Sequence, residues 1–189
     1  MQKNLLLLGF LGLCAACVGA RDYVIDYDYS YQGNFRKYKS FQFMEHTSAD
    51  TLTRLNANII EDEIGFRMKL LDYEPVTEKP DLLIIYKIFP DDFQMRGYQQ
   101  PEMKQWIIKE DSTRKDYKPQ QYALNNGTLL IHLVERKTRS TVWMGYASGL
   151  RSRTLLVNPR ILKNSIISIF DRFEVSTAAL RRPKEEIEE

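Results

Sequence analysis

The two cysteines of the chain, Cys14 and Cys17, are separated by two residues in the segment LGLCAACVGARD. A C-x-x-C pair is typical of thiol redox sites and of half a zinc site. A redox pair needs a folded helix N-terminus, and a structural zinc site needs about two further ligands. Here the pair lies within an apolar leader, and the nearest histidine is His46. We therefore expect neither a redox centre nor a metal site.

The first residues of the chain resemble a bacterial export signal. Lys3 gives the start a positive charge, and the stretch from Leu5 to Val18 contains no charged side chain. This apolar run suits the core of a signal peptide, and it is shorter than the roughly 20 residues that a membrane-spanning helix needs. The pattern predicts export without an integral transmembrane domain.

Two alanines directly precede Cys17, as in the cleavage site of bacterial lipoproteins. This predicts a lipoprotein signal peptide over residues 1–16, after whose removal the lipidated Cys17 becomes the first residue. The site departs from the usual pattern, because Cys14 stands where a branched apolar residue is usual. Cleavage after Ala20 stays open as the alternative, since the small-x-small rule fits there as well.

Two histidines, His46 and His132, are available for general acid–base chemistry. His132 lies in an apolar strand pattern, and Glu135, three residues further on, would lie on the opposite face of that strand. The sequence contains no nucleophile elbow, zinc-protease helix or Walker loop. We assign no catalytic residue and no cofactor, and we interpret His132 as a histidine satisfied within the fold. The alternative is a hydrolase-like periplasmic enzyme centred on His132, with further residues from 90–123.

Aspartates and tyrosines alternate along the first predicted strand. Asp22, Asp26 and Asp28 share one face and could form a calcium-binding edge, but no glycine-containing calcium loop follows, so we favour a solvated face. The tyrosines form either an aromatic ligand-binding face or one side of an amphipathic sheet edge. These are Tyr23, Tyr27, Tyr29 and Tyr31.

Basic residues are frequent around the last predicted hairpin, where we expect them to cluster near one end. They could meet lipid headgroups or an anionic wall polymer, although turns are polar for structural reasons alone, which is the interpretation we favour. The set consists of Arg136, Lys137, Arg139, Arg151, Arg153 and Arg160. The net charge of +2 provides no general field for nucleic acid, and we expect no such partner.

Two amphipathic helices are predicted from their apolar periodicity. The first covers residues 50–71, and its core-facing stripe is predicted to contain Leu52, Leu55, Ile59, Phe66 and Leu70, widened by Ile60, Ile64 and Leu71. The second covers residues 158–173, with an apolar face of Ile161, Leu162, Ser165, Ile166, Ile169, Phe170 and Phe173.

Aromatic and β-branched runs predict the strands. They cover residues 22–29, 34–43, 80–89, 128–135 and 140–148, with further strands at FQMRGY (93–98) and QWIIKE (105–110) and a polar loop over 111–122. The order of elements predicts an α+β fold, in which both helices pack on one face of a mixed or antiparallel sheet of about five to six strands. We expect a single domain over residues 17–180 and a charged, disordered tail over 181–189.

Four segments occur in the order found in one bacterial lipoprotein family. They are DYD…NFRKYKSFQF, YEPVTEKPDLLIIYKI, GTLLIHLVERKTRSTVWMGYASG and ILKNSIISIFDRF. On these motifs nearly the whole mature chain resembles the family of unknown function numbered 4136. Asp72 stands where the family usually has glycine, and His132 occupies a usually acidic strand position. The resemblance implies an envelope location and the fold, and no catalytic residue carries over.

These features together predict a lipid-anchored protein of the bacterial cell envelope that acts as a non-catalytic binding or structural module. The expected partners are the membrane, through lipid on Cys17, and another envelope protein or a wall polymer. We expect the outer membrane as its location, facing the periplasm. The alternative is a soluble periplasmic protein released after Ala20. The sequence does not indicate an oligomeric state.

Overall fold

The computed structural model describes residues 23–30, 32–44, 51–98, 119–151 and 158–181, which form eight strands and two helices. The strands are β1 (Val24–Tyr29), β2 (Ser40–Phe43), β3 (Glu74–Pro75), β4 (Leu82–Phe89), β5 (Phe93–Tyr98), β6 (Pro119–Leu124), β7 (Thr128–Glu135) and β8 (Ser140–Ser148). Helix α1 (Thr51–Leu70) lies between β2 and β3, and helix α2 (Pro159–Arg181) follows β8.

Six of these strands form a mixed sheet in the order β1-β8-β7-β4-β2-β3. The pairs β1–β8, β8–β7 and β7–β4 are antiparallel, whereas β2 runs parallel to β3 and β4. The parallel pairing requires a long crossover, which α1 supplies. Strands β5 and β6 form a separate antiparallel pair. This architecture confirms the predicted α+β fold.

Both helices pack on one face of the six-stranded sheet, which we call the first face. Trp143 of β8 is fully buried there, where its ring meets Phe173 of α2 edge-on at a centroid distance of 5.1 Å. Its indole Nε1 donates a hydrogen bond to Ser176 Oγ at 3.2 Å. Six of the seven residues of the apolar face predicted for α2 are buried, Leu162, Ser165, Ile166, Ile169, Phe170 and Phe173, and Ile161 is partly buried against the core. The predicted end at residue 173 was wrong, because the helix continues to Arg181.

Helix α1 has the predicted bounds to within one residue but presents a different face to the sheet. Its buried residues are Thr53, Asn56, Ile60, Ile64 and Met68. Three residues of the predicted core stripe are exposed instead, Leu55 by 66%, Phe66 by 55% and Leu70 by 59%. The prediction was wrong for these three because α1 carries two apolar stripes, roughly a third of a turn apart.

Polar contacts between α1 and β4 explain which stripe faces the sheet. Strand β2 pairs with only the first part of β4, so backbone donors further along β4 need other acceptors. Thr53 Oγ1 accepts a hydrogen bond from the Ile88 N–H at 2.9 Å, and Tyr86 Oη donates to Glu61 Oε1 at 2.6 Å. These two contacts fix the orientation of α1 about its own axis relative to β4.

The strand predictions differ from the structure in three main places. The short strand β3 was not predicted. The strand predicted over 34–43 begins only at Ser40, because residues 35–37 form a turn. The polar loop predicted over 111–122 ends in a strand, since β6 begins at Pro119. The strand predicted at QWIIKE and the tail beyond Arg181 lie outside the described residues.

Candidate functional site

The side of the sheet opposite the helices, which we call the second face, is only partly covered by the residues that the structure describes. Strands β5 and β6 cover one part of it through a small apolar cluster. The cluster consists of Leu124, Leu130, Met144 and Tyr146, with Phe89, Phe93, Met95 and Tyr122 packed against it. Beyond this cover, Leu83, Ile85 and His132 are half-buried. The second face therefore presents a mixed apolar and polar surface.

His132 lies in the middle of the second face. Its neighbours across the strand ladders are Ile85 on β4 and Met144 on β8. Asp28 on β1 follows Met144 in the same row, two strand spacings or about 10 Å from His132. Glu135 is engaged elsewhere, because its Oε1 accepts a hydrogen bond from Tyr38 Oη at 3.1 Å. These described neighbours give no support to a hydrolase-like site at His132.

Four side chains from three strands form an acid–tyrosine cluster at the β1 end of the second face: Asp26, Asp28, Tyr122 and Tyr146. Tyr146 lies directly opposite Asp26 in the ladder and donates a hydrogen bond from its hydroxyl to Asp26 Oδ2 at 3.3 Å. Tyr122 of β6 packs against Tyr146 with a ring-centroid distance of 6.5 Å. The strand pair β5–β6 thus brings Tyr122 close enough for the charges of the two aspartates to act on its hydroxyl.

Burial and the two carboxylates determine the electrostatics of this cluster. Burial raises the pKa of Asp28, and the charge of Asp26 acts in the same direction. The pKa values of Tyr122 and Tyr146 are raised by burial and then by the same two carboxylates. Both phenols therefore stay protonated at neutral pH, and the cluster offers carboxylate oxygens beside electron-rich rings. Such groups suit ammonium and hydroxyl groups.

The tyrosines that were predicted to share one face of the first strand lie against the core. Tyr23, Tyr27 and Tyr29 are partly buried against the core cluster of the first face. Tyr27 stacks on Trp143 with a centroid distance of 6.5 Å. Their alternation is therefore explained by an amphipathic edge strand, as the second of the two interpretations held. Tyr31 lies outside the described residues.

The predicted clustering of basic residues at one end of the hairpin was wrong. Lys137 and Arg139 are in the turn between β7 and β8, whereas the Arg151 N–H bonds to the Asn126 carbonyl at the opposite end of both strands. Arg160 is in the first turn of α2. Arg136 has a structural contact, because its Nε donates to the Pro80 carbonyl at 2.8 Å. These basic residues are close to the hairpin in sequence, but they lie at both of its ends. The two ends are separated by the length of β8, which has nine residues.

Several residues singled out from the sequence, Cys14, Cys17, Asp22, His46 and Arg153, lie outside the described part of the chain. Within the described ranges, no three His, Cys, Asp or Glu side chains lie close enough together to hold a metal ion. Nor does any helix in those ranges combine the length and apolar character needed to cross a membrane.

Replacing His132 by leucine is expected to reduce the loss of stability in acid. Burial lowers the pKa of His132 from its ordinary 6.5. Below pH 6.5, His132 is therefore protonated more readily in the unfolded chain than in the folded one. As the pH falls through the lowered folded pKa, wild-type stability drops by up to about 1.4 kcal/mol per pH unit, whereas the leucine variant lacks this contribution.

Urea unfolding of both proteins at pH 7.5, 6 and 5 measures this difference. The comparison between variants cancels the contribution of the carboxyl groups that both share, and His46→Gln controls for the loss of a histidine. If the free energies of unfolding of the wild type and His132→Leu change in parallel with pH, burial beside Ile85 and Met144 does not lower the pKa of His132.

Comparison with known proteins identifies the family and the fold. A family model described as a domain of unknown function, DUF4136, matches residues 25–173. A crystal structure of a DUF4136 family protein from Bacteroides thetaiotaomicron aligns with a TM-score of 0.52 at 17% identity, covering 81% of this chain and 96% of that one. No curated protein matches the sequence significantly.

Two further solved structures show weaker similarity. A PDZ domain protein from Parabacteroides distasonis aligns with a TM-score of 0.43 at 15% identity, over 76% of this chain and 36% of that one. A PelC dodecamer from Paraburkholderia phytofirmans aligns with a TM-score of 0.40 at 11% identity, over 78% of this chain and 94% of that one. The match of the family model over most of the sequence shows that the chain belongs to the DUF4136 family of unknown function.

Proposed function

We propose that this protein is a lipid-anchored component of the bacterial cell envelope whose domain binds another envelope component through the second face of its sheet. Lipid on Cys17 holds the protein at the outer membrane, facing the periplasm. One acyl chain gives only marginal membrane binding, so stable attachment needs the several chains that a lipidated N-terminal cysteine carries. The leader sequence and the two alanines before Cys17 support this location.

The difference between the two faces of the sheet carries the binding half of the proposal. On the first face, Ile84, Leu133 and Trp143 are fully buried beneath the helices. On the second face, the corresponding central residues Ile85 and His132 are only half-buried. A surface that combines partly exposed apolar side chains with converging polar groups is typical of a binding site.

The acid–tyrosine cluster indicates the chemistry of the partner. Asp26 is exposed and Tyr122 is half-buried, so both are accessible at the border of the second face. Carboxylates accept hydrogen bonds from amines and sugar hydroxyls, and tyrosine rings stack on sugars or contact ammonium groups. A wall polymer with amino groups and a lysine-containing segment of an envelope protein both meet this description.

Site-specific photo-crosslinking in intact cells tests the binding surface. A photoreactive phenylalanine analogue replaces Leu83 on the second face, and a matched variant carries the same analogue at Asn58, which is exposed on α1. We expect a discrete adduct from position 83 that is absent from position 58. Digestion with a wall hydrolase separates a polymer adduct from a protein adduct. Equal crosslinking from both positions, or none from position 83, contradicts a binding role for the second face.

A further inference from the structure

Strand β1 is a free edge of the six-stranded sheet. It pairs with β8 on one side and has no strand on its other side within the described residues. The opposite edge strand, β3, is only two residues long and contains Pro75, which is a common way to prevent edge pairing. Strand β1 is six residues long and has no proline. Its edge must be protected by another means.

The direction of the backbone hydrogen bonds shows which groups of β1 face outward. The Ser30 N–H donates to the Val142 carbonyl beside β8 at 2.9 Å. Because N–H directions alternate along an antiparallel strand, the amides of Asp26 and Asp28 point toward β8 as well. The amides of Ile25, Tyr27 and Tyr29 therefore point away from the sheet, where an added strand would bind them.

Two of the three outward amides are already bound by carboxylates of their own strand. The Tyr27 N–H donates to Asp26 Oδ1 at 2.8 Å, and the Tyr29 N–H donates to Asp28 Oδ1 at 2.8 Å. The second oxygen of Asp26 accepts the Tyr146 hydroxyl, which fixes the orientation of this carboxylate. The same local arrangement thus occurs twice, two residues apart, on the one long free edge described.

We propose that Asp26 and Asp28 guard the edge of β1 and prevent it from pairing with β1 of a second copy of this chain. They do so in two ways. Their carboxylates occupy two of the three outward donors that a new strand would use, and their charges repel a second copy. In antiparallel pairing about Tyr27, Asp26 of one copy would lie opposite Asp28 of the other, and like charges directly opposite each other destabilise a strand pair.

A second copy is the partner that this arrangement excludes best. Ile25, Tyr27 and Tyr29 of β1 point into its own core, and Val24 at its start is exposed, so self-pairing would rest mainly on main-chain hydrogen bonds between two identical edges. A foreign strand with basic residues would meet attraction and not repulsion from the two aspartates. This guarding role concerns the assembly state of the domain and needs no ligand on the second face, although Asp26 and Asp28 also belong to the acid–tyrosine cluster.

In the test, both aspartates are replaced in the full chain. The protein is produced with its own leader and is purified in its mature form. Sedimentation velocity over a concentration series is expected to show that Asp26→Ala/Asp28→Ala self-associates at least tenfold more tightly than the wild type. The charge-matched control Glu78→Ala/Asp91→Ala removes two exposed acidic groups elsewhere and is expected to behave as the wild type. An alanine variant that associates no more than this control overturns the proposal.

The conservative variant Asp26→Asn/Asp28→Asn separates hydrogen bonding from charge. The amide oxygen of asparagine still accepts the same N–H, so we expect association much weaker than that of the alanine variant. Association as strong as that of the alanine variant contradicts the capping role.

Amide hydrogen exchange shows where the copies meet. In the associated alanine variant, protection is expected to rise with concentration at Tyr27 and Tyr29, while β7 keeps the protection of a folded protein. Protection that rises elsewhere and not along β1 overturns the proposal, and so does association that accompanies loss of protection in β7, because misfolding then accounts for it.

Discussion

Replacing Gly145 by alanine is expected to lower the free energy of unfolding by about 3 kcal/mol, and replacing it by valine is expected to prevent folding. Gly145 lies on the first face in β8, where the ring of Trp143 and helix α2 both pass close to its backbone. A Cβ at this position would overlap the Trp143 ring and would lie 2.7 Å from Ile169 Cγ2. Trp143 and Ile169 are fully buried, so neither has free space to move into.

Gly65 provides a matched control of opposite sign. It lies within α1, and a Cβ there would meet no atom within 4 Å. Alanine is favoured over glycine in a helix interior by roughly 0.5–1 kcal/mol, so Gly65→Ala is expected to stabilise the protein by about that amount. Urea unfolding followed by tryptophan fluorescence measures both variants. Equal stability of Gly145→Ala and the wild type contradicts the packing of Trp143 beneath α2.

Replacing Cys17 by serine is expected to reduce the membrane-bound fraction of the protein at least tenfold. A serine hydroxyl cannot form the thioether through which a lipoprotein carries its lipid, and each buried CH₂ of an acyl chain contributes about 0.8 kcal/mol to membrane binding. The loss of the chains therefore removes far more binding energy than the rest of the protein is expected to supply. Fractionation of cells into membrane and soluble parts, with detection of the protein in each, measures the change.

Cys14→Ser is the control for this experiment, because Cys14 belongs to the segment that the proposal removes. It is expected to leave the protein in the membrane fraction. Membrane attachment that persists in Cys17→Ser contradicts lipidation at Cys17. Release of the protein from the membrane by Cys14→Ser, with Cys17 intact, would indicate that the lipid is on Cys14. That result would contradict the proposal.

The sequence predicted the buried face of a helix where its apolar residues form a single stripe. Helix α2 was predicted with its buried face, because Leu162, Ile166, Ile169 and Phe173 leave one apolar side. Helix α1 was predicted by extent but not by face. Its apolar residues fill two stripes, and the choice between them depends on Thr53, which satisfies the Ile88 amide of a strand distant in sequence. A local pattern does not contain that information.

The candidate site was only half accessible to sequence reasoning. Asp26 and Asp28 were singled out by their alternation, but Tyr122 and Tyr146 were not. These tyrosines join the aspartates through the pairing of β1 with β8 and the packing of β6 on the second face, which are long-range features. Tyr122 belongs to a stretch whose polar composition predicted a loop. The one signal for Tyr146 was its place in the hairpin strand STVWMGYAS, where it alternates with the core-facing Trp143 and Ala147.

The mass of the N-terminal peptide of the mature protein, isolated from whole cells, tests lipid anchoring at Cys17. We expect a peptide that begins at Cys17 and carries the added mass of covalently bound acyl chains. Treatment that cleaves esters should remove part of this mass. An unmodified peptide that begins at Arg21 would contradict lipid anchoring and would make the protein a soluble periplasmic one.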